Sequence, residues 1–152
     1  MNNYCFFAAR YSLFINHYSL FIIHYSLNTF PKQKRLCGQM RIAALYKEGK
    51  RFTAWPLRVT YQVISDQPSA VSNQVLVWAP KSLFKRAVKR NHLRRLMREA
   101  YRLHQDILTD HQSPMTNGGY LIAFNYIDKE EQSFAVIEKA VCKALRKVKG
   151  EN

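Results

Sequence analysis

Between Lys81 and Arg102 the chain carries nine Lys or Arg and a single acid, Glu99, so eight of its fourteen net positive charges sit in this one stretch. A helical period runs through the charge. Wound at about 3.6 residues per turn, Leu93, Leu96, Met97, Ala100 and Ile107 fall along one stripe, with Phe84 and Val88 extending it to one side. Arg90, Arg94 and Arg98 make a second row at i, i+4 and i+8, and Asn91, Arg95 and Arg102 make its neighbour. The pattern predicts a helix from Ser82 to about Leu108, laid on a core by its apolar stripe and cationic on the opposite side. Any fold for this chain has to leave that cationic side uncovered by the rest of the protein.

Crowding guanidinium groups in this way is unfavourable in isolation, since like charges four residues apart repel. Glu99, four residues after Arg95 and three before Arg102, offsets part of it. The remainder points to a polyanionic partner. Arg presents a rigid fork of donors that fits phosphate oxygens two at a time, and Asn91 among the arginines adds a directional donor and acceptor. A merely solvated face would mix signs, and this one is nearly all positive. The whole-chain balance agrees: 24 Lys plus Arg against 10 Asp plus Glu, net +14. Nucleic acid is the first partner class and an acidic membrane surface the second.

At 152 residues the chain suits one domain. Lys32 to Glu48 reads as a helix stopped by Gly49, with Leu36, Met40, Ala43 or Ala44, and Tyr46 or Lys47 at three-to-four spacing, although Gly38 interrupts it. Pro56 to Ile64 reads as a half-buried strand, because Leu57, Val59, Tyr61 and Val63 alternate with Arg58, Thr60 and Gln62. A short strand over Arg51–Ala54 can add an edge. After the polar turn at Asp66–Asn73 come a strand at Val75–Ala79, the basic helix, a break at Asn117–Gly119 and a buried strand at Tyr120–Phe124. Lys129–Lys149 is helical, with Phe134, Ile137 or Glu138, Val141, Ala144, Leu145 and Val148 as its stripe. The order helix, strand, strand, long helix, strand, helix predicts α and β layers around one sheet.

Residues 1–28 are different in kind. They hold one charged residue, Arg10, and repeat Tyr-Ser-Leu from Tyr11, Tyr18 and Tyr25. The run lacks the charged flanks of a coiled coil, the length of a spanning helix, and the basic start and cleavage site of a signal peptide. It is expected to be a repetitive extension outside the domain, disordered or belonging to a misplaced start, with a membrane anchor as the other reading. Cys5, Cys37 and Cys142 stand far apart with no CxxC pair, which suggests neither a zinc site nor a disulfide framework and favours a reducing, cytoplasmic setting.

The run Lys85-Arg-Ala-Val-Lys-Arg-Asn-His-Leu-Arg-Arg-Leu-Met-Arg-Glu99 resembles the signature of the bacterial ribonuclease P protein component, through Ala87, Val88, Arg90, Asn91, Arg94, Arg95, Arg98 and Glu99. Phe30-Pro-Lys-x-x-Arg-Leu36 resembles the opening of that family and Gly49-Lys-x-Phe52 its turn after the first helix. The resemblance covers residues 29–149. It implies an α+β class, a single-domain α/β sandwich with a left-handed βαβ crossover. It implies too a protein subunit of the ribonucleoprotein that removes the 5′ leader of precursor tRNA, an endoribonuclease whose catalytic groups and required Mg2+ belong to the RNA subunit. The chain itself would then carry no catalytic or metal-binding residue and bind no cofactor. Arg90, Asn91, Arg94, Arg95 and Arg98 would contact ribonuclease P RNA, with Lys85, Arg86 and Lys89 nearby. The leader would lie in a cleft beside the first helix, met by Tyr46, Phe52, Tyr61 and Lys81, with Ile42 standing where family members often carry a second aromatic.

Three other readings are weighed against this one. An independent nuclease would need His92, His104 or His111 paired with Asp106 or Asp110, and no pair has acid–base or metal-ligand spacing. A ribosomal-type RNA-binding protein shares the basic helix without the cleavage role. A membrane-surface protein would use residues 4–27 as anchor and the basic face on anionic lipid. For the aromatics, ordinary core packing is the alternative role.

Overall fold

Alternation of apolar and polar side chains builds the sheet. In this computed structural model, which describes residues 30–64, 73–108 and 119–150, the strands are β1 (Lys50–Ala54), β2 (Leu57–Ile64), β3 (Gln74–Trp78) and β4 (Gly119–Tyr126). The helices are α1 (Gln39–Glu48), α2 (Ala87–His104) and α3 (Phe134–Lys149). The sheet order is β1-β2-β4-β3. β1 and β2 form an antiparallel hairpin, β2 pairs antiparallel with β4, and β3 lies parallel to β4 with α2 in the connection between them. Residues 1–28, most of the polar turn before β3, Asp110, His111 and the Asn117–Gly118 break lie outside the described residues.

Helices cover both faces. Leu57 and Val59 of β2, Val75 of β3 and Ile122, Phe124 and Tyr126 of β4 point to one side, where they meet Leu93, Met97, Ala100 and Tyr101 of α2 and Ile137, Val141 and Leu145 of α3. On the other side a smaller core joins Leu121 and Ala123 to Leu36 and to Leu45 of α1, with Ile42 and Tyr46 packed against it. This is an α+β sandwich of three layers: α1, the sheet, then α2 with α3.

The second core changes the character of β2. Thr60, expected on a polar face, is 1% exposed beneath α1, while Val63, expected on the apolar face, is 51% exposed. Burial follows what covers each residue rather than alternation alone. The end of α1 also has a tertiary cause. A Cβ at Gly49 would stand 2.4 Å from the Leu45 carbonyl oxygen and 2.9 Å from Thr60 Cγ2, so only glycine lets β1 leave the helix this close to the sheet.

The helices are shorter than periodicity predicts. Lys32–Lys34 form a 3-10 turn, Arg35 bridges to Val75, and the Leu36 N–H donates to Val75 O at 3.0 Å. The backbone there is satisfied by the sheet edge, and Gly38, at φ +98, turns the chain into α1. Met40 consequently lies 87% exposed instead of on the packed stripe. Ahead of α2, Leu83 and Phe84 donate backbone hydrogen bonds to Pro80 O in a turn, so the helix starts at Ala87 and not at Ser82. Gln105–Leu108 finish that segment as a 3-10 turn. α3 starts at Phe134 because Tyr126 organises the preceding loop: its hydroxyl donates to Glu130 O at 2.7 Å and accepts from the Gln132 N–H at 3.0 Å.

Tyr101 links this core to pH. Its ring packs edge-on against Phe30 at 5.8 Å, and burial pushes its hydroxyl up to about 12 from 10.0. The unfolded chain therefore loses this proton near pH 10 while the folded protein keeps it to about pH 12. In that window the unfolded state binds fewer protons, so stability falls as pH rises, by about 3 kcal/mol in total. Urea unfolding at stepped pH is expected to show this decline, and Tyr101→Phe to flatten it. An equal decline in the variant would assign the alkaline loss to other groups.

Candidate nucleic-acid interface

The α2 stripe of Leu93, Met97, Ala100 and Tyr101 is fully packed, which rolls the cationic rows outward. Val88 leaves the predicted stripe and is 78% exposed, while Phe84 joins the core from the turn before the helix. Arg90 is half-buried and folds back: its Nη1 donates to Phe84 O at 2.8 Å and to Lys85 O at 2.6 Å. These bonds hold the loop that delivers Lys85 and Arg86. Asn91 accepts through Oδ1 from Arg94 Nη2, so it aims its neighbour's guanidinium. Arg94 is half-buried, and its Nε has no partner among the described residues.

Arg98 sits where burial and three neighbouring arginines act together. Partial burial, then Arg35, Arg94 and Arg95 in that order, hold its guanidinium below the ordinary arginine range. Glu99 does not relieve this. It is committed to Arg102, 2.9 Å from Nε and 2.5 Å from Nη2, and that hydrogen bond draws its own carboxyl below the usual range. Lys89 pairs with Glu131 at 2.6 Å, whereas Lys85, Arg86, Arg90, Arg94, Arg95 and Arg98 meet no carboxylate among the described residues. Arg35 is a member of this cluster that helix periodicity could not supply. It arrives from the segment along the β3 edge, with its guanidinium 5.6 Å over the Phe30 ring. A carboxylate-poor row of arginines converging from two elements offers a phosphate both positive charge and forked donors.

The predicted cleft aromatics do not come together. Tyr46 lies on the α1 side, where its hydroxyl donates to Asn125 Oδ1 at 2.8 Å. Phe52 and Tyr61 lie on the far side of the sheet, edge-on to each other at 5.8 Å and packed against the larger core, with Lys147 Nζ 4.9 Å over the Phe52 ring. The parity of β1 and β2 puts them there, because Phe52 pairs with Val59 and shares its face. Lys81 is exposed in the turn after β3. The residues that accompany Tyr46 are instead those of a cross-strand row, Thr53, Arg58, Asn125 and Trp78, paired in register across the sheet. Two alternating strands signal such a row only once their register is known.

The ribonuclease P family model matches residues 30–149. The chain belongs to the ribonuclease P protein family. It is 39% identical over 123 residues to the ribonuclease P protein component of Porphyromonas gingivalis, covering 78% of this chain and 85% of the relative. With the ribonuclease P protein component of Chlorobium phaeobacteroides it shares 34% identity over 131 residues, 81% of this chain and 90% of that one. The fold is that of the RNase P protein from Thermotoga maritima (TM-score 0.59, 18% identity, 74% of this chain and 96% of that chain) and of the Staphylococcus aureus RNase P protein (TM-score 0.56, 18% identity, 78% and 98%). The ribonuclease P proteins serve tRNA 5′ processing as a subunit of a ribonucleoprotein.

Two histidines, His92 and His104, fall among the described residues. His92 is exposed on α2, and His104 Nε2 lies 2.9 Å from Glu138 Oε1, tying α2 to α3. No three His, Cys, Asp or Glu side chains among the described residues are placed to hold a metal ion, and no helix there is long and apolar enough to cross a membrane.

Proposed function

We propose that this chain is the non-catalytic protein subunit of a cytoplasmic ribonuclease P, acting on precursor tRNA by binding while the RNA subunit and its Mg2+ carry out the cleavage. The observation that carries this reading is the carboxylate-poor guanidinium face of α2, to which Arg35 is added from outside the helix. Arg94, Arg95 and Arg98, with Arg35, engage phosphates of ribonuclease P RNA. Arg90 and Asn91 act chiefly by positioning, one holding the loop with Lys85 and Arg86, the other aiming Arg94. Lys89 keeps its ion pair with Glu131 and adds charge at the rim. The 5′ leader lies on the α1 side of the sheet, with Tyr46 and Lys81 touching it, while Phe52 and Tyr61 serve the core edge.

Neutralising phosphates on the RNA subunit favours its folded form, and holding the leader aligns the scissile bond by proximity. Free Cys37 and Cys142 suit a reducing compartment. Reconstitution tests the reading. Added to a cognate ribonuclease P RNA at low Mg2+, the protein is expected to raise 5′ processing of precursor tRNA strongly, and an unchanged rate would refute it. RNA binding without stimulated cleavage would support the ribosomal-type reading instead.

A further inference from the structure

The cross-strand row beside α1 contains a side chain that neither core uses. Trp78 closes the edge strand β3 on the α1 side and is 51% exposed, an expensive way to display one of the chain's two tryptophans. Asn125 is its register partner on β4 and is held by the Tyr46 hydroxyl. Arg58, exposed, is Asn125's partner on β2, and Lys81 follows Trp78 by three residues in the next turn. Neither Arg58 nor Lys81 meets a carboxylate among the described residues. Ile42 packs into the small core, so α1 itself offers Tyr46 as its aromatic here.

A flat aromatic face, a side-chain amide in a fixed setting and two cations at its margins match the chemistry of an unpaired nucleotide. The ring accepts a base by stacking, the amide reads a base edge, and the cations take the adjoining phosphates. Paired RNA presents no free base face to stack. We propose that Trp78 is a stacking platform for an unpaired nucleotide of the precursor's 5′ leader, flanked by Asn125, Arg58 and Lys81, and so a residue that sets preference for leader-bearing substrate. The assignment rests on the leader reading of the α1 side given above and adds to it a second aromatic face, on the strand next to the Asn125 that Tyr46 holds.

The test uses the reconstituted holoenzyme and reads one ratio, the affinity for leader-bearing precursor over that for mature tRNA. Trp78→Ala is expected to lower this ratio about 10-fold, and Trp78→Phe, which keeps a stacking face, to restore most of it. Thermal melting of each variant checks folding, which an exposed position should leave intact. If Tyr46→Ala lowers the ratio and Trp78→Ala does not, the role of Trp78 is refuted while the leader site stands. If neither lowers it, the leader site itself is refuted. A fall for Trp78→Ala that phenylalanine does not rescue would refute stacking. Loss of a dimer on Trp78→Ala, with the ratio unchanged, would assign the patch to a second copy of the chain.

Discussion

Replacing Arg94 and Arg98 together with alanine is expected to weaken binding to ribonuclease P RNA by roughly 100-fold or more, with no loss of stability in the isolated protein. The two effects separate because they have different physical sources. In the complex each guanidinium contributes charge-assisted hydrogen bonds worth about 1.5–3 kcal/mol, and two such deletions multiply in the dissociation constant. In the free protein the same groups repel. Arg98 is already held below the ordinary arginine range by burial and by Arg35, Arg94 and Arg95, and Arg94 leaves a buried Nε unpartnered. Removing them relieves that repulsion, so the melting temperature should hold or rise slightly. The salt dependence gives an independent reading. The slope of log affinity against log salt should fall by about one for each phosphate no longer neutralised, about two for the pair. Binding measured at several salt concentrations decides it, and an unchanged slope would mean that these side chains do not touch phosphate.

The second large effect concerns the core. Phe124→Ala is expected to cost about 3–5 kcal/mol, a large part of what a domain of this size has to lose. Phe124 is fully buried on β4, the strand between β2 and β3, and its ring lies 6.4 Å from that of Tyr101 on α2. Deleting it opens a cavity where sheet and helix meet, and β4, paired with a strand on each side, cannot collapse into it. Val88→Ala provides the contrast. Val88 looks like a stripe residue by spacing but is 78% exposed, so its replacement should change stability by less than about 0.5 kcal/mol. Urea midpoints for the two variants check both expectations. A Val88 cost comparable with that of Phe124 would mean that the apolar stripe extends as spacing alone suggests.

Much of the layer arrangement is legible in the chain itself. The strands around Leu57–Ile64, Val75–Trp78 and Tyr120–Phe124 announce themselves by alternation or by continuous apolar runs, and α3 by a stripe of which Ile137, Val141, Ala144, Leu145 and Val148 are all buried. The basic helix is legible too, since one face is apolar and the other cationic over several turns. Periodicity places the start of all three helices too early. At α1 the sheet edge takes the backbone of Arg35 and Leu36, at α2 Pro80 accepts the bonds of a turn, and at α3 Tyr126 holds the loop. Only at α1 does the competing group, Val75, come from a distant segment that folding brings adjacent; at Pro80 and Tyr126 a local turn or loop, closed within six residues, outcompetes the helix.

For the site, the cationic rows of α2 are a property of sequence alone. Charge and 3.6-residue spacing are local, and a helix packed by one stripe has to present the other side. The tertiary structure decided the rest: that Arg35 joins Arg94 and Arg98, that Thr60 is buried, that Phe52 and Tyr61 turn from Tyr46, and that Trp78 stands beside Asn125. These facts depend on strand register, where neighbours such as Tyr46 and Asn125 are 79 residues apart and a shift of one residue would send every side chain to the opposite face. Periodicity fixes what a segment presents, and pairing between distant segments fixes what it is presented to.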